Sequence, residues 1–113
     1  MYDIEFYQTS NGKIPAIEYL KELDRTGCRK EKDKIETYIN MLANIGDKLL
    51  INKNVAKHLE NGIYELRPGR YRVLYAKLNP DKYVILHIHL KRDKKEQNNE
   101  IKKAYKEYKK IVT

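Results

Sequence analysis

The sequence predicts an α+β fold in which an antiparallel sheet packs on an N-terminal helical hairpin, with a C-terminal helix after the sheet. Three observations predict it: strand-like runs between Ile63 and Arg92, two helical apolar stripes before them and one after them. At 113 residues the chain has the usual length of one domain, because two cores would leave each half too small to bury enough surface. We therefore expect a single domain over residues 1–113.

The N-terminal third predicts a strand and a helix. Residues 1–8 alternate between apolar and polar side chains, which is the period of a half-buried strand, and we expect this strand to join the later sheet. Pro15 suits the first turn of a helix, and an apolar stripe continues from it to Leu23.

A second, longer helix is predicted near Arg29–Ile45, where apolar residues recur at helical spacing and Gly46 is a typical stop. With the first helix it forms the predicted hairpin. Residues 47–61 are less regular and are expected to form a loop, and the pair Asn61-Gly62 is a strong turn signal.

The three strand-like runs are Ile63–Arg67, Tyr71–Lys77 and Tyr83–Lys91. Pro68-Gly69 separates the first two, and Asn79-Pro80-Asp81 separates the last two. These turn residues predict tight hairpins and an antiparallel meander. From Asn98 onward the helical spacing returns and predicts an amphipathic C-terminal helix, with Asn98 as its cap.

Alternation places His87 and His89 on one face of the third run with Ile85 and Lys91, and places Leu86, Ile88 and Leu90 on the other face, against the helices. The second run has apolar groups at both phases, so we expect a bend or bulge there. Tyr64, Tyr71 and Tyr75 are more typical of sheet packing than of base stacking.

Composition favours an anionic partner. Lys and Arg exceed Asp and Glu by 24 to 16, which gives a net charge of +8, and nucleic acid is the usual partner of such a surface, although solubility alone also explains it. Cys28 has no second cysteine to pair with, and no signal peptide or membrane segment is recognisable. We expect a cytoplasmic protein.

The strand residues have the chemistry to bind phosphate and to transfer protons. Arginine stays protonated and can bind phosphate through two parallel hydrogen bonds, so Arg67 and Arg72 are candidate phosphate clamps. Either arginine could instead simply pair with Glu65. Histidine titrates near neutrality, so His87 or His89 is a candidate acid or base. A metal pair at His87-Ile88-His89 is disfavoured because cationic residues follow it.

Two stretches resemble the RelE/ParE toxin superfamily, in its phage-derived HigB-like branch. The first begins at Lys57-His58, continues through Gly62-Ile63-Tyr64-Glu65-Leu66-Arg67, and ends in Tyr71-Arg72-Val73-Leu74-Tyr75. The second is Ile85-Leu86-His87-Ile88-His89-Leu90-Lys91-Arg92-Asp93-Lys94. The helices before and after extend the likeness over nearly the whole chain.

The resemblance implies a RelE-like fold and a toxin of a type II toxin-antitoxin pair that cuts mRNA in the ribosome without cofactor or metal. The implied partners are mRNA, ribosomal RNA and a cognate antitoxin, HigA-like with a helix-turn-helix domain. The implied catalytic residues are Arg67, Arg72, His87, Lys91 and Arg92, and the implied RNA-binding residues are Lys57, His58, His89, Lys94 and Lys95. The stretch 93–99 contains neither the tyrosine nor the histidine that some relatives use, so the proton-transfer residue stays open between His87, His89 and Lys91.

Two other functions fit the same sequence. A ParE-like inhibitor of DNA gyrase has the same fold without nuclease activity, and a non-catalytic RNA-binding module has the same charge. The basic, histidine-bearing strand favours cleavage over gyrase inhibition, and the RNA-binding module stays an alternative.

Overall fold

The computed structural model describes residues 1–112, and within them the elements follow the predicted order with two additions. A 3-10 helix (Gly46–Ile51) and a strand (Ala56–Glu60) occupy the segment expected to be a loop. The full order is β1 (Asp3–Phe6), α1 (Pro15–Arg25), α2 (Arg29–Ile45), the 3-10 helix, β2 (Ala56–Glu60), β3 (Ile63–Leu66), β4 (Tyr71–Asn79), β5 (Lys82–Leu90) and α3 (Lys94–Val112).

The five strands form one sheet in the order β1-β5-β4-β3-β2. Strands β2 to β5 pair antiparallel, as predicted, but β1 lies parallel to β5 at the sheet edge. The expectation of an antiparallel sheet is therefore wrong at that edge. A parallel pair needs a long crossover connection, and the two helices of the hairpin lie within the chain that joins β1 to the rest of the sheet.

Strand β2 was missed because it is a short edge strand that carries exposed Lys57, His58 and Glu60. Charged residues are common on edge strands, where they prevent pairing with another chain. A register shift between His58 and Glu60 also breaks its alternation. Asn61 and Gly62 both have positive φ, 52° and 81°, as a two-residue hairpin turn requires.

Helices cover both faces of the sheet, and this explains why β4 is apolar on both. One core lies between the sheet and the α1–α2 hairpin and includes Val73, Tyr75 and Ile85. A smaller core lies on the α3 side and includes Leu74 and Ala104. Neither phase of β4 is left to face solvent over Tyr71–Ala76, so its alternation could not reveal an outer face.

A bulge at Leu86 changes which side chains of β5 share a face. Leu74 pairs with His87 and Tyr75 pairs with Ile85, so Leu86 has no partner in β4. Leu86 packs in the α3-side core, whereas Ile85 belongs to the hairpin-side core. The prediction that Ile85 shares a face with His87 and that Leu86 lies opposite is therefore wrong, because the extra residue inverts the phase before His87.

Helix α3 begins four residues before the predicted cap. Asp93 Oδ1 accepts a hydrogen bond from the Glu96 N–H at 2.9 Å, so Asp93 rather than Asn98 caps the first turn. The extra turn brings Lys94, Gln97 and Asn98 over the sheet. Within residues 1–112, no helix has the length and apolar character needed to cross a bilayer.

Candidate active site

A cavity of about 150 Å³ lies between the sheet and the first turns of α3. Strands β2, β3 and β5 form one wall, and α3 forms the other. The lining residues are Lys57, Leu59, Glu65, Arg67, His89, Lys94, Gln97, Asn98 and Ile101. The cavity therefore combines three cations, one carboxylate and one histidine.

Glu65 organises the two arginines that the sequence singled out. Its Oε2 accepts a hydrogen bond from Arg67 Nε at 2.9 Å and lies 4.0 Å from Arg72 Nε. Glu65 is only 5% exposed, and a buried carboxylate needs such cationic partners. The interpretation that an arginine pairs with Glu65 therefore holds for Arg67, and the same contact fixes the guanidinium at the cavity wall.

Arg67 keeps donors for a ligand after these contacts are made. Besides the bond to Glu65, its Nη1 donates to the Lys53 carbonyl at 2.9 Å. A guanidinium has five N–H donors, so the two contacts leave the rest available. The Arg67 side chain is 29% exposed and is therefore anchored but accessible.

Arg72 is held differently from Arg67. Its Nη1 donates to the carbonyls of Gly69 and Tyr71 at 2.9 and 2.8 Å, and its side chain is 8% exposed. Burial lowers its pKa from the ordinary value, while Glu65 opposes that shift. Arg72 does not line the cavity; its contacts stabilise the β3–β4 turn and the charge of Glu65.

His89 lines the cavity, and one of its two ring nitrogens is already hydrogen-bonded to the backbone. Its Nδ1 lies 2.8 Å from the Leu90 carbonyl, and a carbonyl oxygen only accepts, so Nδ1 carries the proton. The Nε2 atom of the neutral ring is then a proton acceptor. Burial lowers the pKa of His89 below its usual value of 6.5, which keeps the ring neutral at physiological pH.

His87 is enclosed under α3 and does not line the cavity. Its Nδ1 lies 2.8 Å from Glu107 Oε1, and its Nε2 lies 3.0 Å from Glu100 Oε2, outside hydrogen-bond geometry. His87 and Glu107 are 4% and 7% exposed. These contacts attach α3 to the sheet and so hold the second wall of the cavity in place.

We expect the His87→Ala variant to lose about 2–4 kcal/mol of unfolding free energy, because it leaves the buried Glu107 carboxylate without its partner. Urea denaturation measures this loss. The double variant His87→Leu with Glu107→Leu removes both polar groups and should recover most of it. Equal stability of His87→Ala and the wild type would show that this contact does not hold α3.

Besides Arg72 and His87, four more of the predicted residues lie away from the cavity. Lys91 is exposed beyond the end of β5, where its N–H donates to the Arg70 carbonyl at 2.7 Å. Arg92 pairs with Glu96 at 3.0 Å on the surface, and Lys95 is exposed.

The ring of His58 packs on Tyr64, with centroids 4.8 Å apart, and Tyr64 packs against the hairpin-side core. The idea that His58 reaches the pocket is wrong, because β2 directs it to the opposite face from Lys57.

The cavity also contains residues that the sequence did not single out as functional. Gln97 and Asn98 line it from α3, and Glu65 lines it from β3. The acidic residue within the motif Gly62–Arg67 was a sequence signal that could have identified Glu65. Gln97 and Asn98 carried no such signal, because their position depends on how α3 crosses the sheet.

Residues 1–112 contain no group of three or more His, Cys, Asp or Glu side chains placed to hold a metal ion. The rings of His87 and His89 are 6.1 Å apart between centroids, and each ring has a separate partner, Glu107 for His87 and the Leu90 carbonyl for His89.

Comparison with protein families matches residues 18–109 to the family described as "Phage derived protein Gp49-like (DUF891)". The match covers most of the chain, including strands β2 to β5 and all the lining residues of the cavity, and it begins after β1. The chain belongs to this family. The Gp49-like family is one of RelE- and YoeB-type toxins, so the superfamily predicted from the two sequence stretches is confirmed.

The fold of this Gp49-like chain is similar to a solved structure titled "Crystal structure of heterotetrameric complex of YoeB-YefM toxin-antitoxin from Staphylococcus aureus". The two chains share 19% identity with a TM-score of 0.54, over 77% of this chain and 93% of the other. At this identity the likeness establishes the α+β fold. A search of curated proteins found no similar sequence.

Proposed function

We propose that this Gp49-like toxin is a metal-independent endoribonuclease that cuts mRNA on the ribosome and is neutralised by a cognate antitoxin. The observation that supports the proposal is the cavity, where a neutral histidine with a fixed tautomer faces three cations. Family membership supports the toxin class. The cleavage chemistry is inferred from the side chains.

In this proposal the scissile phosphate is bound by Arg67, Lys57 and Lys94. The arginine presents a guanidinium that Glu65 and the Lys53 carbonyl already orient, so little reorganisation is needed when charge develops on the phosphorane. The two ammonium groups come from opposite walls, β2 and α3. A ligand between them would therefore be held from both sides.

We assign the proton acceptor to His89 in place of His87 or Lys91. Its Nε2 would take the proton of the 2′-OH as that oxygen attacks phosphorus, and the departing 5′ oxygen would take a proton from Lys57 or Lys94. The expected products are a 2′,3′-cyclic phosphate and a 5′-OH. His87 is enclosed between carboxylates and serves as an attachment for α3.

The acidic side of the pH–rate profile should report His89. Because burial lowers its pKa below 6.5, the ring is neutral and competent above that pKa, and the rate falls as pH drops through it. Single-turnover cleavage between pH 5 and 8 should give a midpoint below 6.5. A midpoint at or above the ordinary histidine value would contradict this assignment.

The antitoxin is proposed to cover the cavity and to neutralise its cations. The toxin-antitoxin complex with a similar fold supports a protein partner of this kind. The HigA-like, helix-turn-helix character of the partner follows from the sequence resemblance alone.

Mapping transcript 5′ ends after induction in bacteria without antitoxin tests the proposal. New ends within translated regions, absent from untranslated regions and lost with Arg67→Ala, are the expected result. Growth arrest with intact transcripts and DNA damage would instead favour a ParE-like gyrase inhibitor. RNA binding without growth arrest would favour a non-catalytic module.

A further inference from the structure

The outer face of α3 carries lysines with no carboxylate between them. The helix has three glutamates and seven lysines. Glu100 and Glu107 face His87 in the sheet, and Glu96 pairs with Arg92. At 3.6 residues per turn, the half of the helix opposite buried Ala104 therefore presents cations among its charged residues: Lys95, Lys102, Lys103, Lys106 and Lys110, together with Lys109, whose ammonium lies over the Tyr105 ring.

This concentration of like charge lowers the stability of the helix. Lys102, Lys106 and Lys110 follow one another at a spacing of four residues and are exposed. Like charges at this spacing are destabilising by a few tenths of a kcal/mol for each pair. Solubility alone needs charge on the surface but does not need the two signs to be separated on one helix.

We propose that this face of α3 binds the phosphate backbone of double-helical RNA. The face extends about 22 Å from Lys95 to Lys110, at 1.5 Å per residue, which is long enough to contact several successive phosphates. Its N-terminal end adjoins the cavity, since Lys94 and Asn98 line that cavity. The inference rests on the proposed function and adds a second RNA surface outside the catalytic cavity.

A membrane surface fits this helix less well than RNA. Membrane-binding basic helices insert an apolar face into the lipid. Most of the apolar face of α3 is packed on the sheet, where Ala104 is fully buried and Tyr105 and Tyr108 join the core. Ile111 and Val112 at the end of the helix are 36% and 53% exposed. Two apolar residues at one end of the helix are a small area for insertion into lipid, whereas the exposed lysines run along the helix, and a regular polyanion satisfies them.

Binding of an RNA hairpin, measured by fluorescence anisotropy at several salt concentrations, tests the proposal. The two variants compared are Lys102→Gln/Lys106→Gln/Lys110→Gln and the charge-matched control Lys21→Gln/Lys30→Gln/Lys48→Gln. The control lysines are also exposed but lie on α1, α2 and the 3-10 helix. Both sets are placed in the His89→Gln chain, so that binding is measured without the proposed cleavage.

The α3 variant should weaken binding and reduce the slope of log K against log salt by roughly 2 to 3, because each lost phosphate contact contributes about 0.7–0.9. The control should change the slope by less than about 1. Equal changes in both variants would overturn the proposal, as would α3-dependent binding to anionic phosphatidylglycerol vesicles with none to RNA. Failure of the proposed function would be seen separately, in the transcript-mapping experiment, as uncut transcripts after induction of the chain without any of these substitutions.

Discussion

Replacing His89 with alanine is expected to slow mRNA cleavage by roughly 10²- to 10⁴-fold, the range that general acid–base catalysis contributes. The reason is geometric, because Nδ1 is engaged by the Leu90 carbonyl and Nε2 is the acceptor left for the 2′-OH. His89 is also buried, so its loss creates a cavity. The His89→Gln variant keeps most of the volume and should show the same loss of rate. Single-turnover cleavage on programmed ribosomes measures both.

His58→Ala is the matched control for that experiment. This histidine is exposed on β2 and packs on Tyr64 at the other face of the sheet. Its loss should leave the cleavage rate within a few-fold of the wild type. A folded His89→Gln variant that cuts at the wild-type rate would remove His89 from the reaction.

Replacing Arg67 with alanine is expected to reduce cleavage by roughly 10²- to 10³-fold, as removal of one oriented donor does in oxyanion sites. Arg67 is the guanidinium that lines the cavity, whereas Arg72 is occupied by the carbonyls of Gly69 and Tyr71. The Arg67→Lys variant keeps the charge but loses the fork geometry, and it should recover only part of the rate. Single-turnover rates compare the two.

Loss of Arg67 also leaves Glu65 with a weaker partner, and stability must be separated from catalysis. The double variant Arg67→Met with Glu65→Gln removes the carboxylate that has lost its closer cation, while the carbonyls of Gly69 and Tyr71 still hold Arg72. It should therefore fold better than Arg67→Ala while cleavage stays low. Arg70→Ala is the surface control, because Arg70 is exposed in the β3–β4 turn. Normal cleavage by the folded double variant would exclude Arg67 as the phosphate ligand.

The helices and the meander were predictable because their signals are local. The apolar spacing and Gly46 gave the bounds of α2, and Pro68-Gly69 and Asn79-Pro80-Asp81 gave the two hairpins. The strand β2 was missed although Asn61-Gly62 is a hairpin turn that needs a strand on each side. Its exposed Lys57 and His58 made it resemble a loop.

The histidine roles depended on tertiary structure. Alternation places His87 and His89 on one face, and both do lie on the α3 side of the sheet. The position of α3 separates them, because Glu100 and Glu107 enclose His87 while the cavity stays open at His89. The bulge at Leu86 was equally hidden, since both faces of β5 are covered and neither needs polar residues.

The chemistry of the RNA ends shows whether the 2′-OH is the attacking group. Purified toxin is incubated with ribosomes translating a defined mRNA, and the fragments are analysed for their terminal groups. Attack by the 2′-OH predicts 5′-hydroxyl and 2′,3′-cyclic phosphate ends, produced by the wild type and His58→Ala and lost with His89→Gln. Fragments with 5′-phosphate and 3′-hydroxyl ends, or an mRNA that stays intact, would exclude the proposed cleavage by His89 and the 2′-OH.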